Sequence, residues 1–220
     1  MIQHNHTLQN MKSTLATIGL ALGIVATAVA QAPSTGFEIL KITPELITTP
    51  DVNFSGGPTG KAKGKGRNFL AVETAFSWQP REAKPAYLDE ITVNYYILLN
   101  NKGADPENPQ AETLLTGSVT HVTIPQEKDL KSVIYVSPRT LEKQFNGKLP
   151  ATIGNIVRDA GVTITRGGEV VAQGSWKSDI RNKTPWWSAL TPTSGLLLNK
   201  NQAPFAPLVW DYYEEIKAGQ

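Results

Sequence analysis

The chain has no cysteine and only three histidines among its 220 residues, and these two scarcities remove whole classes of chemistry. Without cysteine there is no disulfide, no thiolate nucleophile, no thiolate-bound metal and no lipid-modified N-terminal cysteine. His4 and His6 lie in the first ten residues, which leaves His121 as the one histidine of the remaining chain. A histidine-rich metal site is therefore excluded within one chain, and a Ser-His-Asp triad would have to use His121. That residue sits in "GSVTHVTIP" at alternating strand spacing, the pattern of an ordinary sheet-surface residue, and no G-x-S-x-G elbow accompanies it. An excess of one charge is also lacking, with 21 Lys+Arg against 19 Asp+Glu. A dedicated nucleic-acid binder draws much of its affinity from neutralised phosphates, so this balance speaks against one. No pair of carboxylates is nominated for glycoside hydrolysis. The composition points to a protein that is not an enzyme, with no cofactor and no metal.

Long apolar runs are scarce as well. The one present, Leu15 to Val29, follows Lys12 and ends in Ala28-Val29-Ala30, small residues at the positions a signal peptidase reads. Residues 1–30 read as a secretory signal peptide, since a membrane span needs about 20 apolar residues. Residues 31–220 carry no comparable run, which predicts one exported domain with no transmembrane segment after cleavage. The periplasm, the outer membrane or the cell surface of a Gram-negative bacterium fits a cysteine-free exported chain.

What is abundant is punctuation. Glycine, proline and asparagine recur every ten to twenty residues, separating short β-branched and aromatic runs, the rhythm of an antiparallel sandwich. In the clearest strand Ile91, Val93, Tyr95, Ile97 and Leu99 share one face. Leu70, Val72, Phe76 and Trp78 repeat the pattern, with Glu73 and Ser77 opposite. Phe37 to Thr43, Thr113 to Ile124, Lys131 to Ser137, Val162 to Arg166 and Glu169 to Trp176 complete seven strands. Gly167-Gly168 turns the last pair, because the central positions of such a hairpin need positive φ. One helix is predicted between the fifth and sixth strands: Ser137 caps it, Pro138 opens it, Leu141 and Phe145 share a face, and Gly147 ends it. The fold class is all-β: a seven-stranded antiparallel immunoglobulin-like sandwich, one short crossover helix, and an aromatic extension over residues 176–220 that wraps it. Within that extension Val209, Tyr212, Tyr213 and Ile216 are spaced as one face of a short helix.

Three segments compete for function. "GGPTGKAKGKGRN", Gly56 to Asn68, resembles a phosphate-binding loop, but Gly60-Lys61 is followed by Ala62 where Ser or Thr is required, and Ser55 stands where the first glycine belongs. It reads instead as a solvated loop between the first two strands, whose Lys61, Lys63, Lys65 and Arg67 could hold an anionic polysaccharide, lipid headgroup or protein. Asp105, Glu107 and Asn108 offer oxygen ligands, but two prolines and sparse carboxylates make them an acidic turn rather than a calcium site. The tail is richest, with Trp186-Trp187 after Pro185 and Trp210, Tyr212 and Tyr213 beyond. Adjacent residues of an extended chain face opposite sides, so one of Trp186 and Trp187 is expected in a satellite core and the other available for sugar stacking or a protein contact.

The cysteine-free exported chain, the seven-strand pattern, "TPWW" and "PFAPLVWDYYEEI" together resemble the small pilus-like proteins of Verrucomicrobia, of the Akkermansia type encoded with type IV pilus-like structures. The resemblance covers about Phe37 to Ile216. It implies an immunoglobulin-like fold, an outer-membrane or surface location, and a cell-envelope or pilus-associated protein as partner, with a host glycan as the alternative. It transfers no active residue. A true type IV pilin keeps its apolar stretch and a glutamate near the new N-terminus; the run from Leu15 to Val29 holds no glutamate.

Overall fold

The computed structural model describes residues 36–49, 66–80, 86–101, 112–180, 183–208 and 211–220, all within one unit, residues 33–220. The proposed signal peptide, Lys61, Lys63, Lys65, the acidic turn at Asp105 to Asn108, Val209 and Trp210 lie outside the described residues.

Alternation sets the architecture. In β3 (Tyr87–Leu99) the face carrying Ile91, Val93, Tyr95, Ile97 and Leu99 is at most 1% exposed. It meets the corresponding face of β2 (Asn68–Trp78), where Leu70, Val72 and Phe76 are fully buried. These strands belong to two facing sheets. The first runs in the order β1 (Phe37–Thr48), β2, β5 (Leu130–Val136), β9 (Leu197–Asn199). The second runs β7 (Glu169–Ser175), β6 (Val157–Arg166), β3, β4 (Thr113–Pro125), β8 (Pro192–Ser194). Inward side chains from both sheets form one core, the arrangement of a sandwich.

The all-β reading holds, with nine described strands rather than seven. The two additional strands, β8 and β9, are three residues each and come from the tail; elements this short carry no periodicity to read. β8 lies parallel to β4, so the second sheet is not wholly antiparallel. Between β8 and β9, Gly195, at φ 78°, lets the chain pass from one sheet to the other. Gly117 of β4 leaves room for this passage: a Cβ there would lie 2.8 Å from the Leu197 Cβ.

α1 (Pro138–Gln144) forms as the sequence dictates. The Ser137 Oγ accepts from the Thr140 N–H at 3.2 Å, Leu141 and Phe145 are buried, and Gly147 closes the end at φ 74° with its N–H on the Glu142 carbonyl. A second helix, α2 (Ile153–Ile156), lies just before β6, which starts five residues earlier than its sequence suggests. Gly161 hid that beginning, since glycine argues against a strand interior. The hairpin turn at Gly167-Gly168 has both φ values positive, 58° and 87°. Among the described residues the expected helix at the C-terminus does not form: Tyr212 lies in a turn, Tyr213 in a bend, and Ile216 makes an isolated bridge to His121. Two neighbouring sheet edges supply the backbone partners that a helix would have had to find within itself.

Candidate functional site

After Ser175 the chain runs over the outer faces of the sandwich. On the first sheet Ala203 and Phe205 pack against Phe69, Ala71, Val133 and Tyr135. Phe205 meets the Phe69 ring edge-on at 5.3 Å and stacks against Tyr135 at 5.1 Å. Tyr213 donates its hydroxyl to Glu73 Oε2 at 3.0 Å, and burial beside that carboxylate pushes its phenol pKa up. Burial likewise pushes Tyr135 up to about 12. The neighbouring Tyr212 ring lies under the Lys131 ammonium, 4.1 Å from its centre.

The tryptophan pair lies on the second sheet. Its backbone is not extended: Pro185 leads into a 3-10 turn, Trp186–Ala189, so the opposite-facing geometry expected for an extended chain does not apply. The rings nevertheless differ in environment. Trp187 is 7% exposed and stacks on Tyr96, with centroids 4.6 Å apart and planes 10° from parallel. It rests directly on Gly161 of β6, where a Cβ would come within 2.1 Å of the ring. Trp186 meets Trp187 edge-on at 5.1 Å and donates its indole N–H to Ser175 Oγ at 2.9 Å. That bond fixes the ring while leaving it half-buried at the wall of a cavity.

This cavity, ≈ 310 Å³, is lined by Leu98, Glu112, Arg158, Asp159, Lys177, Ser178, Trp186 and Leu190. Asp159 is its structural pin. Buried at 5% exposure, its carboxylate accepts from the N–H groups of Ala160 (2.8 Å), Lys177 (3.0 Å) and Ser178 (3.2 Å) and from Ser178 Oγ (2.5 Å). Four donors satisfy a buried charge and fix the corner where the tail leaves β7. Arg158 pairs with Glu112 across the opening. Lys177 donates to the Val157 carbonyl at 3.3 Å while lying over the Trp176 ring. Two cations thus stand against two carboxylates, around an apolar wall of Trp186, Leu98 and Leu190. Such a pocket suits a neutral, amphipathic ligand with an apolar face and several hydrogen-bonding groups.

Arg67 of the basic loop directly precedes β2 and pairs with Glu142 of α1 at 2.6 Å. His121 departs most from its sequence reading. It is 1% exposed rather than on the sheet surface, with Nε2 2.7 Å from Ser132 Oγ and Nδ1 3.1 Å from the Glu214 carbonyl. Burial lowers its pKa to about 4. Its side chain shares the inward face of β4 with Leu115 and Val119 and reaches Ser132 of the facing sheet, at a side of the sandwich that residues 214–217 cover. Among the described residues no cluster of three or more His, Asp or Glu is placed to hold a metal ion, and no helix is long and apolar enough to cross a membrane.

A "-like" protein-family model matches residues 28–220. Among solved structures, the chain is similar to a crystal structure from Akkermansia muciniphila at a TM-score of 0.66 and 22% identity, covering 84% of this chain and 94% of the other. At that identity the likeness concerns the fold. No curated protein matches.

Proposed function

We propose, from the premise that the chain belongs to the Akkermansia-type pilus-like family whose model spans residues 28–220, that it is a non-enzymatic envelope or surface protein associated with pilus-like structures and that it works by binding. The immunoglobulin-like form of the sandwich belongs to the same proposal. The orders β1-β2-β5 and β7-β6-β3-β4 correspond to the A-B-E and G-F-C-C′ halves of that fold, with β9 beside β5 where strand D stands. Export to the periplasm, outer membrane or cell surface completes the reading.

The observation that carries it is the division of labour between the two tryptophans. Trp187 is buried against Tyr96 and Gly161, whereas Trp186, pinned by Ser175, keeps part of its ring at a cavity with balanced polar groups. A rigid, half-exposed aromatic loses little entropy on binding and suits an anchor for a protein partner. The same features favour a second reading, a carbohydrate module: a pyranose lays an apolar face on an aromatic ring while its hydroxyls meet charged side chains. Cosedimentation with isolated cell envelopes and binding to a glycan array, each with Trp186→Ala and Arg158→Ala, test the two. Loss on envelopes alone selects the protein partner, loss on glycans selects the sugar, and full binding by both variants removes the cavity from either role.

A further inference from the structure

The last seven residues close the side of the sandwich where β4 and β5 face one another. The Glu214 N–H donates to the Lys131 carbonyl of β5 at 3.1 Å, the Val122 N–H of β4 to the Glu215 carbonyl at 3.0 Å, and the Lys217 N–H to the Thr120 carbonyl at 2.9 Å. Gln220 Oε1 accepts from the Thr120 N–H at 2.8 Å, and its Nε2 donates to Thr120 Oγ1 at 2.7 Å. Ile216 lies opposite His121 and packs against the main core. These residues are thus bonded to both sheets, with His121 beneath them.

The ring nitrogens of His121 meet two neutral oxygens, the Glu214 carbonyl and Ser132 Oγ. A carbonyl only accepts, so Nδ1 carries the proton and the neutral Nε2 accepts from the serine hydroxyl. The charged groups of the surrounding elements are engaged elsewhere. From the tail, the Glu214 carboxylate accepts from the Lys131 N–H at 3.3 Å, Lys217 pairs with Glu90 of β3 at 2.5 Å, and Glu215 contributes its carbonyl to Val122. From β5, Lys131 turns to Asp129. From β2, Glu73 takes the Tyr213 hydroxyl. From β3, the Tyr95 phenol lies fully buried and its pKa is raised by that burial. An imidazolium formed here would be a buried charge whose own partners are both uncharged.

We propose that residues 214–220 are an acid-released latch, closed while His121 is neutral and lifted when the ring takes a proton, because these residues lie over the ring and meet its Nδ1, and raising them gives that nitrogen water. The sign follows from the burial. The closed form favours the neutral ring, with a pKa of about 4 against 6.5 in water, so closure is fully favoured above pH 6.5 and weakens as pH falls through that window. The His121 share of the opening equilibrium rises about 30-fold between pH 7.5 and pH 5; Glu214, whose carboxyl pKa is raised chiefly by burial, acts in the opposite sense as pH falls, so the His121 share is read as the difference from His121→Gln.

Amide hydrogen exchange by NMR on the purified chain, corrected for intrinsic rates, reads the latch at Val122 and Lys217 and the core along β3. The expected result is a loss of protection at Val122 and Lys217 from pH 7.5 to pH 5 that exceeds the change in His121→Gln by about 30-fold, with both amides less protected than β3 at either pH, as a local opening requires. Protection at Val122 and Lys217 equal to that along β3, or a pH dependence no steeper than that of His121→Gln, would overturn the proposal. Should His121→Gln not fold, the unaltered chain decides by two readings together: a His121 ring pKa below 6.5 with Val122 and Lys217 less protected than β3 supports the latch, and a pKa of 6.5 or above, or equal protection, overturns it.

Discussion

At the scale of single residues, the structure is most sensitive where a ring meets a missing side chain. Trp187 occupies the space a Cβ would fill at Gly161, so Gly161→Ala should displace the ring and lower stability by about 1–3 kcal/mol, read as a fall in thermal midpoint. Trp187→Ala should cost about 3–5 kcal/mol, the range for a buried aromatic, and Trp186→Ala distinctly less, because its ring is already part exposed. His121 ties stability to pH. Its pKa, lowered to about 4 by burial, contributes stability that is complete above pH 6.5 and is lost as pH falls toward 4, by up to roughly 3 kcal/mol. Denaturant unfolding at pH 7.5 and pH 4.5 should show that loss in the native chain and a smaller one in His121→Gln. Neither Gly161 nor His121 declared its role in the sequence. A glycine in a strand and a histidine at alternate spacing have the same local pattern whether solvent or a segment over twenty residues away lies above them.

At the scale of elements, legibility followed periodicity and length. β3 and α1 were readable because the information lay within them: five alternating apolar residues in one, a serine cap, a proline and a closing glycine in the other. Ser137→Ala should therefore cost about 1 kcal/mol by leaving the Thr140 N–H without its cap, measurable by denaturant unfolding. β8 and β9 were not readable, being too short for alternation and held by partners on β4 and β5. The C-terminal residues were misread as a helix because Tyr212, Tyr213 and Ile216 are spaced for one; backbone bonds to Lys131, Thr120 and Val122 outweigh that spacing. The Trp186-Trp187 environments were anticipated in kind but not in cause. A 3-10 turn and an indole hydrogen bond, not strand alternation, set the two rings apart.

At the scale of the whole molecule, the tail supplies what a cysteine-free sandwich would otherwise obtain from disulfides. It covers the outer faces of both sheets and adds an edge strand to each. The same tail places Trp186, pinned but half-buried, at a cavity whose walls come from β6, β3 and the tail itself, so binding and stability are carried by neighbouring residues with different tasks. The most direct measurement is thermal unfolding and binding of Trp186→Ala in parallel, on cell envelopes and on a glycan array. The expected result is a midpoint within about 4 °C of the native chain, the shift of roughly 1 kcal/mol in a domain this size, together with loss of binding to one of the two targets. A variant that binds both as the native chain does, or one destabilised as much as Trp187→Ala, would contradict a recognition role for this ring.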